Sequence, residues 1–421
     1  MRNVRNIFLT LFLLSFVIAV GGGLFWANLN FSQRVPAGTD FIVPWKAIRN
    51  FMLEGVTPYG TLTSLNIQIL IYNQPAAPDN RPSAPDNQPA IPHKYPYLVN
   101  IPFFMLILFL PFGWIANFAL ARAIWLIFLE VGLMGVVLVS LRLARWKPHW
   151  LVLIFVLLFS VFWLPSVSMF IAATSIILQA FVFYTALRAI ELGSDELAGA
   201  LAALSLLNIE ATGLVFIVLL VWIFSTQRWR VLAGIGMMLA ILMGLSLLLF
   251  PSWILPFFGA VLGNWRSGLI PSTYSLFVGW LPCIGQRLAQ LLAVVALAIA
   301  MYEWRAARRQ DVRWLFWTAS LTSVLTPLMG VPYMPIWLVF TLPGVLLVIA
   351  VMSQRWGLLG YISAFIVLVV LFFGLWFAQF NGIISVFILF YPLFMVLLLY
   401  WVRWGAVRPP RLWADEIKLR G

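Results

Sequence analysis

Few residues in this chain of 421 could do acid–base or ionic chemistry, and their neighbours say what kind. Asp40 follows a long apolar run and stands with Thr39 just before Phe41, Trp45, Ile48 and Met52, which recur at helical spacing. A carboxylate there can take a proton from a hydroxyl. It can also cap the helix by accepting backbone N–H bonds, and spacing alone favours the cap at least as much as the base. Glu130 and Glu210 lie within apolar stretches, where charge is costly and marks a functional candidate. Glu130 comes eight residues after Arg122, just over two helical turns, so it reads as a group that caps or pairs within a bundle. Glu210 follows Asn208 between two short apolar runs, a place suited to a polar cavity. His93 and His149 are the only histidines and fall on opposite sides of the expected membrane, so no histidine metal site is expected. No Gly-rich loop ends in Gly-Lys-Ser/Thr, and no paired aspartates offer a metal to a nucleotide sugar. No cofactor follows from these residues.

The elements that must position these groups are membrane helices. The hydrophobic fraction is 63%, charged residues make up 9%, and the mean hydropathy is +1.01. Soluble domains carry about 25% charged residues, so this composition excludes most soluble enzyme classes. It points to one all-α polytopic membrane domain over 1–421, with the lipid bilayer as its solvent. The net charge of +13 would suggest nucleic acid on a soluble chain. Here the basic residues sit in short clusters between apolar runs, where they orient helices and meet anionic headgroups. No nucleic-acid partner is expected. The single cysteine, Cys283, excludes a disulfide framework.

Apolar runs long enough to cross ~30 Å of hydrocarbon predict about 12 spans. They lie near 7–27, 117–141, 149–165, 173–191, 197–208, 211–225, 231–250, 284–303, 313–328, 335–352, 357–377 and 383–402. The fifth and sixth are short and read as a hairpin of partial spans. With Arg2 and Arg5 inside, alternation puts the connections after 141, 191, 225, 303, 352 and 402 in the cytoplasm. That places 18 of the 26 Lys and Arg residues inside, as the positive-inside rule requires. Both termini, including the tail 403–421, are then cytoplasmic, and the membrane is the cell membrane. The apolar run 97–114 carries Pro102, Pro111 and Gly113. Counting it as a span would invert every later loop, so it reads as re-entrant or interfacial, beside a cavity. The first span is too long for a signal peptide and lacks a cleavage site, so it is expected to stay.

The long first outer loop, 28–116, is where chemistry is expected. Its helix from Thr39-Asp40, closed by Gly55 and Pro58, is amphipathic and reads as interfacial. Residues 73–92 are Pro/Asn-rich, with Ala77-Pro78-Asp79-Asn80 echoed at Ala84-Pro85-Asp86-Asn87, and are expected to be disordered. His93, Lys94 and Tyr95-Pro96-Tyr97-Leu98 lead into the re-entrant run. The second outer loop, 251–283, contains Trp253, Trp265, Arg266 and Tyr274. Its aromatics read first as an interfacial belt, and Arg266 holding a lipid phosphate is the second reading.

In order, these pieces resemble membrane glycosyltransferases of the GT-C fold. The nearest likeness is to the polyprenyl-phosphate-mannose-dependent mannosyltransferases (glycosyltransferase family 87, DUF2029-like). An aspartate after the first span opens an interfacial helix ending Glu54-Gly55-Val56-Thr57-Pro58-Tyr59. Tyr95-Pro96-Tyr97-Leu98 stands where the family usually has Tyr-Pro-Pro-Leu, and the run after it ends Pro111-Phe112-Gly113. Gln227-Arg228-Trp229-Arg230, Phe250-Pro251-Ser252-Trp253 and Thr326-Pro327 also fit. The resemblance covers most of the chain, and the order is more specific than any one motif. It implies a GT-C-like bundle and transfer of a sugar, mannose, from a polyprenyl-phosphate donor to an extracytoplasmic glycan or glycolipid acceptor. Transfer would invert the anomeric centre, with Asp40 as general base. Lys94, Arg266 and Arg287 are the outer-side groups for the leaving phosphate, with Tyr95, Asn208 and Glu210 as further substrate-binding positions. The chain departs from the family in two places. Ala172-Ala173-Thr174-Ser175, with Gln179 beyond, replaces a frequent Gly-Gln, and Asn208-Ile209 replaces a Lys-Pro.

Two other classes fit the same composition. A transporter or flippase of lipid-linked substrates should show paired internal repeats, and none is visible. A non-catalytic membrane assembly partner is favoured if Asp40 only caps its helix.

Overall fold

A computed structural model of the chain describes residues 2–35, 37–72, 99, 101–207, 209–267, 272–330 and 333–407. The repetitive segment 73–92, the motif at 95–98 with His93 and Lys94, and most of the tail 403–421 lie outside the described residues. Among those described, every regular element is a helix. In chain order they are α1 (Arg2–Arg34), α2 (Thr39–Glu54), α3 (Thr61–Tyr72), α4 (Phe103–Leu106), α5 (Leu110–Gly113), α6 (Phe118–Leu143), α7 (Trp150–Phe162), α8 (Leu164–Ala172) and α9 (Ile176–Glu191). They continue as α10 (Asp195–Leu204), α11 (Ile209–Thr226), α12 (Trp229–Leu249), α13 (Ile254–Ser267), α14 (Thr273–Trp280), α15 (Gly285–Ala306), α16 (Val312–Leu325), α17 (Leu342–Phe380) and α18 (Ile384–Val407).

Among the described residues, four helical stretches are long and apolar enough to cross a membrane: Phe118–Leu143, Trp229–Leu249, Gly285–Ala306 and Pro335–Phe380. A fifth qualifies if α7 and α8, bent by 51° at their junction, count as one span. This is an all-helical membrane protein. Most of the expected apolar runs coincide with helices to within a few residues, but several are shorter than a span. The run expected at 173–191 begins only at Ile176, because the chain turns at Ala173, which has a left-handed φ of 55°. The runs expected at 335–352 and 357–377 are joined in α17, with non-helical backbone at Gly357 (φ 54°, ψ −127°). The stretch Phe103–Gly113 is α4, a 3-10 turn (Ile107–Phe109) and α5. At 1.5 Å per residue its 11 residues reach about 17 Å, too short to cross.

The chain divides into two compact units. The first contains residues 1–132, 170–175 and 242–267. Its core is aromatic and centred on Phe41, which stacks on Trp125 (5.2 Å between centroids, 12°) and meets Phe112 edge-on at 5.6 Å. Phe51, Phe103 and Phe250 form a second group at 5.0–5.6 Å. Such pairs contribute about 0.5–1.5 kcal/mol each beyond area burial. They fix α2 against α4–α5 and the start of α6. Two polar bonds lock the same contact: Trp45 Nε1 donates to the Ile115 carbonyl at 3.2 Å, and Arg49 Nη1 to that of Gly113 at 3.0 Å.

The second unit contains residues 133–169, 176–241 and 268–421, and its core is α16, buried from Leu315 to Leu325. The hydroxyls of Thr318, Thr322 and Thr326 donate to carbonyls four residues back at 2.8 Å, so polar side chains can sit in an apolar interior. At one end of this unit, six connections meet. Arg145 pairs with Glu191 at 3.1 Å, and Arg228 with Asp195 at 3.1 Å. Gln354 donates to the Arg145 carbonyl (3.2 Å), and Trp222 to that of Gln310 (3.1 Å). Arg403, lying over Trp314 and Trp317 at 4.8 and 4.7 Å, pairs with Glu303. These are the six connections that the charge ledger assigns to one side.

Candidate active site

Asp40 belongs to the first unit, and the chain reaches it through a forced turn. After α1 ends at Arg34, Gly38 adopts φ 96°, ψ 31°, a left-handed conformation that an L side chain rarely takes. A second constraint acts at Gly38: a Cβ there would lie 2.8 Å from Nε of Arg122. The turn starts α2 with Gly38 as its N-cap, whose carbonyl accepts the N–H groups of Phe41 (3.1 Å) and Ile42 (2.9 Å). Asp40 is therefore in the first turn, and no side chain caps this helix. The capping role weighed above for Asp40 does not apply. Pro44, four residues on, removes the N–H that would bond to the Asp40 carbonyl.

The Asp40 side chain accepts a hydrogen bond from Thr39 Oγ1 at 3.4 Å, and the Thr174 hydroxyl stands close by as a second donor that favours the carboxylate. Burial pushes its pKa up from the usual 3.8, and the two donors pull it down. Desolvation wins, despite a helix N-terminus that favours the carboxylate. The result is a half-buried carboxyl group more basic than an exposed one and oriented by a neighbouring hydroxyl. Those are the properties of a proton acceptor.

Thr174 comes from the short segment between α8 and α9. That segment is pinned from α6. Trp125 Nε1 donates to the Ala173 carbonyl at 2.8 Å, and Arg122 Nη2 to that of Ile171 at 3.1 Å. Arg122 Nη1 donates to the Val35 carbonyl at 2.8 Å, and the guanidinium lies 5.0 Å from the Phe31 ring centroid. Arg122 is fully buried, and no carboxylate among the described residues forms an ion pair with it. Glu130 pairs within the bundle as expected of it, but its partner is Asn28 of α1 (3.0 Å) rather than Arg122.

The other expected site residues do not gather here. Lys94, Tyr95 and Asn208 lie outside the described residues, as do the side chains of Arg266 in α13 and Glu210 in α11. Arg287 is exposed on α15, in the second unit, whereas Asp40 is in the first. Among the described residues, no three of His, Cys, Asp and Glu cluster as metal ligands would. Thr174 and Arg122 are the residues that reading the sequence for chemistry passes over. Thr174 carries no local signal. Arg122 does, as an arginine inside an apolar run.

No protein-family model matches the chain, and neither a curated protein nor a solved structure matches it.

Proposed function

We propose that the protein is an inverting membrane glycosyltransferase that uses a polyprenyl-phosphate-linked sugar, mannose in the first instance, and an extracytoplasmic glycan or glycolipid acceptor. Asp40 removes the proton of the acceptor hydroxyl, whose oxygen attacks the anomeric carbon. The bond from that carbon to the phosphate oxygen breaks, and polyprenyl phosphate leaves with the electron pair from the opposite face. The observation that carries this reading is Asp40 itself. It opens a short helix outside the expected spans, caps nothing, is held by Thr174, and has its pKa raised by burial. A structural cap would need none of the last three.

The remaining parts of the proposal rest on the sequence. They are a GT-C-like bundle of about 12 spans with α2 at the outer interface, cytoplasmic termini in the cell membrane, and Lys94, Arg266 and Arg287 as candidate groups for the leaving phosphate. Tyr95, Asn208 and Glu210 are further substrate-binding candidates, and no cofactor is required. The test is sugar transfer by purified protein from synthetic polyprenyl-phosphate mannose to a panel of acceptors. Loss of a general base costs ~10²–10⁴-fold in rate, so Asp40→Asn should nearly abolish transfer while the protein folds normally. Near-normal turnover in that variant would remove the base from the mechanism. If the wild-type protein moves lipid-linked sugar across vesicles without transferring it, the transporter reading takes over.

A further inference from the structure

We propose that Arg122 is a positioning residue: its guanidinium ties together the two chain segments that carry Asp40 and Thr174, and so holds the Thr174 hydroxyl on the Asp40 carboxylate. The inference rests on the reading of Asp40 as the base.

A fully buried guanidinium with no carboxylate partner among the described residues is costly to keep. Arg122 donates to backbone through Nη1 and Nη2, while its buried Nε has no partner among those residues, and both acceptors are close in sequence to the site. Val35 lies five residues before Asp40, and Ile171 three before Thr174. The planar fork can reach two carbonyls in different directions, 2.8 and 3.1 Å away. An ammonium is a point donor on a flexible stem and cannot reproduce that geometry. Trp125, three residues along the same face of α6, makes the parallel bond to Ala173 at 2.8 Å. The absence of a Cβ at Gly38 leaves the guanidinium its place beneath the turn. One helix thus sets the separation of the two segments.

The charged and titratable groups around Asp40 are few. Arg34 ends α1, Arg122 comes from α6, and Lys46 and Arg49 lie further along α2. Residues 103–113 and 170–175 bring no charged side chain. The Thr174 hydroxyl is the larger of the two influences opposing burial at Asp40. Losing it leaves burial less opposed, so the carboxyl group should titrate at higher pH.

The experiment uses full-length protein in vesicles and compares wild type, Arg122→Gln, Arg122→Lys, Thr174→Val, Thr174→Ser and the Arg122→Gln/Thr174→Val double variant. The readout is transfer rate against pH. Arg122→Gln and Thr174→Val should each move the base limb to higher pH, lowering kcat on the acidic side of that limb with donor KM little changed. The double variant should move it no further than the larger single change, Arg122→Lys should resemble Arg122→Gln, and Thr174→Ser should restore the wild-type limb. An unmoved limb in Arg122→Gln, or shifts that add in the double variant, would overturn the proposal. If Arg122→Gln does not fold, Trp125→Phe keeps the ring and loses the parallel tether, and it should move the limb in the same direction. The infrared band of protonated Asp40, identified by its loss in Asp40→Asn, follows the same titration without any transfer. A wild type that transfers nothing therefore defeats the enzyme reading, whereas a band unaffected by Arg122→Gln or Trp125→Phe defeats the positioning role.

Discussion

Burial that raises the pKa of Asp40 also sets the sign of its contribution to stability. Below the ordinary value of 3.8 the group is neutral both folded and unfolded, and the stability associated with the shift is fully present. It is lost as pH rises through the higher folded pKa, because the charged form then has to be buried. Above the ordinary value, the raised pKa of Asp40 is a net cost to the fold. Asp40→Asn should therefore melt no lower than wild type at neutral pH, and the two melting curves should converge as pH falls toward that value. Thermal unfolding across a pH series checks this, and a lower melting temperature for the variant at neutral pH would show a stabilising role. The place of Asp40 was legible, because the end of an apolar run and the start of a helical period fix it locally. Thr174 was not: nothing near it in the sequence indicates a partner from another part of the chain. Arg122, an arginine inside an apolar run, carried a signal that was passed over, and the sequence cannot show that its acceptors are carbonyls, since every residue has one.

Among the elements, α2 was the most readable. Its apolar period marks Phe41, Trp45 and Ile48, all buried, and Gly55 ends it in a left-handed turn with its N–H on the Asn50 carbonyl. Helices α3, α13 and α14 went unread. The first has apolar residues on all sides and no period, and the aromatics of the other two invite the interfacial-belt reading. The two glycines that bracket α2 give a contrast that can be measured. At Gly55 (φ 64°) a Cβ meets nothing within 4 Å, so Gly55→Ala should cost only the left-handed penalty of about 1–2 kcal/mol. At Gly38 the added methyl also strikes a buried guanidinium. Gly38→Ala should cost at least about 1 kcal/mol more, and it should impair transfer where Gly55→Ala does not. Equal losses of melting temperature in the two variants would mean that Arg122 yields freely.

For the whole molecule, the charge pattern sorted the connections better than length sorted the spans. Residues at the six connections assigned to one side bond to one another within the second unit, although among the described residues only four or five stretches pass as full spans. A break at Ala173 and a 3-10 turn at Thr326–Met329 shorten two of the others, while Gly357 and the 3-10 turn Pro335–Thr341 interrupt the stretch Pro335–Phe380 itself. Hydropathy averaged along the chain does not register such breaks. The sorting can be tested with the one native cysteine. Cys283 is exposed and precedes α15, about 33 Å of helix from the Arg305 end. A membrane-impermeant maleimide on intact cells should label Cys283. In a Cys283→Ser background it should miss cysteines at Arg145 and Arg308. Complete reversal would invert the orientation, and labelling of only one of those two positions would break the sorting itself.

The bonds of Arg122 also have an order in time. The Val35 carbonyl is synthesised 87 residues before the arginine and the Ile171 carbonyl 49 residues after it. At about 5–20 residues per second, α6 waits roughly 2–10 s for its second acceptor. Arg122 is the fifth residue of that helix, near enough to its end for the long side chain to reach the headgroups meanwhile. A nascent chain arrested before Ile171 should accordingly hold an arginine that lipid phosphates can still touch, and elongation past that point withdraws it into protein. Biosynthesis would then assemble the site last at its polar seam, after the apolar face of α2 has already docked.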